Sequence, residues 1–246
     1  IRESSDVRRK WVDGCIAQYN QEYLADLLVY NRILSQRNAL LKGMEGHLNA
    51  SNKSLLDTYD AQLITLSKSL SHVRIDFVDR FIPFLSTNEG LIVFERETCS
   101  MTYQSQVLAD DFEHSFLESR KKDVLTQRTN IGSHKDDYSF LMDGEPLKKF
   151  GSQGQQKSFL IALRLSQYDY LAKVTQIKPI LLLDDIFDKL DDERVERLTA
   201  LLNDSSRFGQ VFITDARKER TSLLVKGKYK TKIFEIEKGK VNSYET

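Results

Sequence analysis

The chain has 246 residues and 28.5 kDa, room for one large domain or two small ones. Its 36 basic side chains are balanced by 36 acidic ones, which excludes a histone-like grip on nucleic acid and leaves only local basic patches. No apolar run approaches the roughly 20 residues that cross a bilayer, so a soluble protein without membrane partners is expected, and Cys15 and Cys99 form no CxxC that could anchor a disulfide framework or a structural zinc.

Three prolines stand where about twelve would be usual, which predicts long uninterrupted helices. Val12, Ile16, Tyr19, Tyr23, Leu27, Tyr30, Leu34 and Leu41 recur mostly at intervals of three and four, the stripe of one long helix. A second stripe runs from Leu56 through Leu63, Leu70 and Phe77 to Phe84, with Pro83 marking its end. The Gly- and Asn/Ser-rich stretch from Gly43 to Asn52 is the loop of an antiparallel helical hairpin, read as either core helices or a projecting arm over residues 1–90.

After Gly90 the pattern changes to α/β over residues 91–246. Short strands are predicted at Leu91–Phe94 and Met101–Tyr103, then a helix from Leu108 to Leu125 with Phe112, Phe116 and Leu117 on one side. Tyr138–Met142 leads into the hairpin turn Asp143-Gly144, and a helix runs from just after Gly151 to about Val174. Ile180–Leu183 and Val211–Thr214 are apolar on both faces, which predicts buried, parallel strands on either side of a helix at Asp192–Leu202. A β-hairpin at Lys232–Glu237 and Val241–Tyr244 closes the chain. From Arg217 to Lys240 nine Lys/Arg face three Glu, a solvated hairpin face or a contact for nucleic-acid phosphates.

Two features carry chemistry. Asp184-Asp185 end an apolar strand at the carboxyl edge, where open α/β sheets bind ligands. There the first carboxylate can hold Mg²⁺ and the second can orient a water that attacks a phosphoryl group, although strands also end in Asp for capping reasons. Phe150 to Lys157 opens a helix with Ser152 and Gly154, which is either an N-cap or a seat for phosphate. The two features lie about thirty residues apart and are followed by Asp188-Lys189-Leu190-Asp191 and Ile213-Thr214, an order more specific than either alone.

Ser152-Gln153-Gly154-Gln155 resembles the signature motif of ABC-type ATPases, Leu181–Asp185 their Walker B strand, and Asp188–Asp191 their D-loop. Gly132-Ser133-His134-Lys135-Asp136-Asp137, the run Gly151–Ser158 and the early Gln36–Lys42 narrow the resemblance to the RecF family, bacterial DNA-repair ATPases related to SMC and Rad50 heads. Ser133 and Lys135 stand where that family usually has Pro and Arg. Asp185 replaces the Glu of most ABC ATPases, as in the RecF branch. Thr214 stands where transporter ATPases place a switch His, leaving Thr214 or Asp215 as the γ-phosphate sensor.

No Gly-x-x-x-x-Gly-Lys-Ser/Thr occurs, and the chain opens on Ile1; the expectation is a C-terminal fragment whose P-loop lobe precedes it. The expected fold is therefore the C-terminal part of an ABC-type P-loop ATPase head plus a helical hairpin arm. The resemblance implies ATP and Mg²⁺ held between two protomers, with Asp184 on the metal and Asp185 on the attacking water. Ser152, Gln153, Gly154 and Gln155 would lie across the dimer, Asp191 at its seam and Thr214 near the γ-phosphate. It further implies a cytoplasmic DNA replication and repair protein that binds double-stranded DNA near single-strand gaps, with RecR and RecO as partners in loading RecA. The rivals are another SMC- or Rad50-like structural head, or a non-enzymatic helical interaction module.

Overall fold

A computed structural model describes residues 4–44, 49–92, 98–187, 190, 192–204, 206–216 and 232–245. The chain divides into two compact units, Ile1–Pro83 with Ser100–Lys148, and Phe84–Cys99 with Lys149–Thr246.

The first stripe is two helices rather than one, α1 (Ser5–Ala17) and α2 (Gln21–Gly43). Asn20 makes the break: its backbone is extended and its side chain accepts from the Tyr23 amide at 2.9 Å, capping α2. The apolar spacing continues across the break because both helices face the same core, so periodicity alone does not reveal the cap. In α3 (Ala50–Ile92) the partners of α2 recur in opposite order, with Tyr23 on Arg74, Asp26 on Ser69 and Arg37 on Asp60. That order is an antiparallel hairpin. Along α3, Leu56, Leu63, Leu70, Phe77 and Phe81 are fully buried.

Pro83 does not end α3, which continues to Ile92 and makes the predicted strand residues Leu91 and Ile92 helical; Val93 and Phe94 lie outside the described residues. An interior proline costs about 3 kcal/mol. Leu85 and Asn88, both 0% exposed, offset it on the far side, where the Phe84 carbonyl also accepts from Ser166 Oγ and Asn88 Nδ2, each at 3.0 Å. Asn88 in turn donates to Asp169 at 2.8 Å, and Arg207 joins both.

In the first unit, β1 (Cys99–Gln104), β2 (Asp137–Met142) and β3 (Glu145–Pro146) form a sheet in that order. Tyr138, Phe140 and Met142 alternate inward along β2, and Trp11 of α1 meets Phe77, Phe81 and Phe140 edge-on at 5.7–6.5 Å between centroids. Asp143 and Gly144, at φ 52° and 80°, make the two-residue turn of the predicted β2–β3 hairpin. The predicted Leu108–Leu125 helix is instead a short 3-10 turn, then α4 (Phe112–Glu118) and α5 (Arg120–Thr126). Ser119 separates the two helices, its hydroxyl donating to the Phe116 carbonyl at 2.8 Å. Phe112 and Phe116 are buried, but Leu117, expected on the same side, is exposed.

Two buried charge clusters tie the hairpin to its surroundings, one at the edge of this sheet and one at α5 and the segment after it. Arg74 donates to Asp13 (2.9 Å), Asp136 (2.8 Å), the Ser133 carbonyl (2.9 Å) and Tyr23 (3.0 Å). Asp136 also accepts from Tyr103 at 2.5 Å and Ser105 at 2.6 Å. Burial raises the Asp136 carboxyl above the usual range while Arg74 pulls it back. Arg37, likewise enclosed, bonds Asp60 at 2.6 Å, Asp123 at 2.8 Å and Thr129 at 2.8 Å.

In the second unit, α6 (Leu147–Phe150), which begins at the end of the first unit, leads into α7 (Gln153–Thr175). β4 (Ile180–Asp184) pairs in parallel with β5 (Gln210–Thr214), α8 (Asp192–Leu202) intervenes, and β6 (Lys232–Glu237) and β7 (Lys240–Glu245) form the terminal hairpin. The parallel pairing is as predicted, but burial on both faces is not. Leu181 is covered, whereas Ile180, Leu182 and Phe212 share a face that is 49–71% exposed. A parallel sheet needs layers on both sides, and the described residues cover one. Of the basic run at 217–240, residues 217–231 lie outside the described residues, while Lys232, Lys238 and Lys240 are exposed on the terminal hairpin.

Candidate functional site

The site residues sit at two adjoining places in the second unit. One is the start of α7. Ser152 has an extended backbone, and its hydroxyl accepts from the Gln155 amide at 3.2 Å while Gln155 Oε1 accepts from the Ser152 amide at 2.7 Å. This reciprocal box fixes the helix start. Ser152 is thus an N-cap, and the same geometry leaves the first amides of the helix, on Gln153 and Gly154, without intrahelical acceptors. Gln156 reinforces the turn by donating to the Gly151 carbonyl at 2.7 Å.

The other place is the carboxyl edge of β4–β5. Asp184 lies opposite Thr214 in register, and the Thr214 hydroxyl donates to the Asp184 carboxylate. Asp185 continues the pairing by donating its amide to the Thr214 carbonyl at 3.0 Å, but at φ 47° it turns into the left-handed region. This conformation is uncommon for a residue with a side chain and costs on the order of 1 kcal/mol or more, so the fold holds the Asp185 carboxylate just beyond the strand end. Lys157 joins the two places: its ammonium donates to the Asp185 carbonyl at 3.1 Å.

Of the residues predicted from sequence, Ser152, Gln153, Gly154 and Gln155 therefore share the α7 start, and Asp184, Asp185 and Thr214 share the strand edge. Asp191 lies outside the described residues, as do Asp188 and Lys189. Two residues escaped the sequence reading. Lys157, near the start of α7, has no role in the sequence motif. Arg194, in the first turn of α8, places Nη1 3.3 Å from where a Cβ on Gly154 would stand, so the absent side chain makes room for the guanidinium. Only its closeness to the D-loop run could have flagged Arg194.

The donor set fits Mg²⁺ in its usual mode, in which one or two carboxylates and several waters or phosphate oxygens complete the shell. Asp184 and Asp185 are such a pair, and no group of three or more His, Cys, Asp or Glu side chains suited to a metal occurs among the described residues. No described helix is long and apolar enough to cross a membrane.

No family model matches the sequence. It is 43% identical over 243 residues to the DNA replication and repair protein RecF of Cytophaga hutchinsonii, covering 98% of this chain and 64% of that protein. With the RecF protein of Flavobacterium johnsoniae the identity is 43% over 237 residues, covering 96% and 66%; with that of Bacteroides fragilis it is 36% over 246, covering 100% and 65%. The chain thus spans slightly under two thirds of the relatives it matches. Among solved structures it is similar to the recombination mediator protein RecF with ATP in the RecFOR pathway (TM-score 0.80, 26% identity, 98% of this chain, 64% of that one) and to the same protein with ATPrS (0.79, 27%, 98%, 64%).

Proposed function

Since the chain belongs to the RecF family of DNA replication and repair proteins, we propose that it supplies the signature and Walker B parts of an ATP-dependent DNA-repair machine. The observation that carries this reading is the joining of the α7 start to the Asp184–Asp185 edge through Lys157. A signature loop joined to a hydrolytic strand end links the nucleotide that the signature meets on a partner to the one that the strand end serves in its own protomer.

In this reading residues 1–90 are the arm and 91–246 the head part, with the P-loop contributed by a further lobe. Asp184, oriented by Thr214, holds Mg²⁺, which when bound neutralises phosphate charge. Asp185 orients the attacking water, and its left-handed backbone presents the carboxylate past the strand end. Ser152, Gly154 and the flanking Gln153 and Gln155 meet the γ-phosphate of a nucleotide bound on a second protomer, with Asp191 at the seam. Thr214, bonded to Asp184, reports the state of the γ-phosphate to the strand edge. ATP then bridges a homodimer whose affinity depends on the nucleotide, by mass action. The machine acts in the cytoplasm on double-stranded DNA at single-strand gaps, with RecR and RecO as partners.

The test is Ser152→Arg in the full-length protein. ATP binding is expected to persist, because the signature serves the partner's nucleotide, while ATP-dependent dimerisation read by light scattering is abolished. Dimerisation persisting in the variant would remove the cross-subunit role of the signature. The 246-residue chain alone is expected to show no ATP turnover, since it contains no P-loop motif; turnover that disappears on Asp185→Asn would contradict this.

A further inference from the structure

Three cations far apart in sequence come together in the first unit: Arg9 of α1, Arg128 just after α5, and Lys135 in the 3-10 turn before β2. Two hydrogen bonds bring them there. Arg9 Nη1 donates to the carbonyl of Asp136, next to Lys135, at 2.6 Å. His134 Nε2 lies 3.0 Å from the carbonyl of Thr129, next to Arg128.

The supporting backbone is tightly held. Gln127 takes the left-handed helix-ending conformation, and the Arg128 amide donates to the Asp123 carbonyl at 3.2 Å. The Arg128 carbonyl accepts from Asn130 at 3.1 Å, and Thr129 donates to Asn38 through both amide and hydroxyl at 2.8 Å. The backbone that carries the charges is therefore held by the fold.

The nearby carboxylates are committed elsewhere. Asp136 turns inward to Arg74, Tyr103 and Ser105. Asp137 is gripped by Arg8 through two bonds of 2.7 and 2.8 Å, and Asp123 is buried against Arg37. Asp6 lies 3.7 Å from Arg9 but bonds Lys10 more closely, at 2.8 Å. Arg128 and Lys135 are exposed, and neither has an ion-pair partner among the described residues.

Partial burial holds the Lys135 ammonium below the usual lysine range, and the positive charges of Arg128 and Arg9 push it the same way. Cations held near one another repel, and a polyanion whose phosphates lie among them relieves that repulsion while releasing its own counterions.

We propose that Arg9, Arg128 and Lys135 form a contact for the phosphate backbone of duplex DNA. The assignment rests on the DNA-repair reading above and gives it a location on a chain with no net charge. The surface is sequence-independent, because cations on backbone phosphates position a duplex without reading its bases. Arg9 also supports the Asp136 backbone, so Arg128 and Lys135 are the residues to test.

The experiment is fluorescence anisotropy of a labelled duplex of about 30 base pairs with the 246-residue chain, between about 50 and 200 mM salt. Arg128→Ala/Lys135→Ala is expected to bind more weakly and to have a salt slope shallower by about 2, roughly 0.9 for each phosphate that is no longer neutralised. Arg128→Lys/Lys135→Arg keeps the charges and is expected to keep the wild-type slope. The single Lys135→Gln, at an exposed side chain, is expected to reduce the slope by about half as much, which guards against a misfolded double variant. Unchanged affinity and slope in the double variant would overturn this surface and leave the DNA reading standing. Weaker binding at an unchanged slope would also overturn it. If the wild-type chain binds no duplex at the lowest salt, both the surface and DNA binding by this chain fall.

Discussion

Arg74→Ala is expected to be the most destabilising single change in the first unit, costing about 3–5 kcal/mol. Arg74 is 2% exposed and satisfies Asp136, itself 1% exposed, together with Asp13, Tyr23 and the Ser133 carbonyl. Removing the guanidinium leaves the buried Asp136 carboxylate and the part-buried Asp13 without their cation, and the penalty of those orphaned charges exceeds the net worth of the ion pairs themselves. At roughly 2–4 °C per kcal/mol, the melting temperature should fall by about 10 °C. Circular dichroism and urea titration measure it. Arg74→Lys should recover only part of the stability, because an ammonium cannot fork between Asp13 and Asp136. A change within about 1 kcal/mol for Arg74→Ala would show that the cluster is not what fastens α3 to the sheet.

The second large effect is a pH dependence centred on His134. Its Nε2 faces the Thr129 carbonyl and therefore carries the proton, leaving Nδ1, 2.8 Å from the Tyr30 hydroxyl, as an acceptor. Burial, first of all, pushes the imidazole down from 6.5 to about 4, and Lys135, Arg9 and Arg37 add to the effect. The folded state thus keeps His134 neutral where the unfolded chain takes up a proton. The stability from neutral His134 is fully present above pH 6.5 and is lost as the pH falls from 6.5 toward 4, in total on the order of 3 kcal/mol. Depressed carboxylates such as Asp137, paired with Arg8, add losses of their own only lower in the acid range, while the raised Asp136 acts in the opposite sense. Urea unfolding from pH 7 to 4.5 should show a steeper decline in the wild type than in His134→Gln. Equal slopes would mean that His134 takes up no extra proton on unfolding.

Local signals were legible wherever a structure depends on neighbours in sequence. Ser152 and Gln155 are three apart and cap one another, so the start of α7 is readable within five residues. Asp143-Gly144 states its own turn because both residues accept a positive φ. The same local reasoning missed Asn20 and Ser119, whose side chains interrupt helices that apolar spacing carries straight through. It also stopped α3 at Pro83, where burial of Leu85 and Asn88 outweighs the missing amide. The left-handed turn at Asp185 left no trace in sequence: it lies where the chain leaves its pairing with Thr214, a segment about thirty residues on.

The sequence by itself therefore determined the parts: the hairpin helices, the helix opening at Ser152, the strand ending in Asp184-Asp185, and the order that marks the family. Only the tertiary structure decided which parts meet. Arg74 finds Asp13 and Asp136, Arg194 finds Gly154, Lys157 finds Asp185, and Arg9 joins Arg128 and Lys135. Such pairings are set by packing, which brings together side chains from segments the chain order keeps apart, and no local periodicity encodes them.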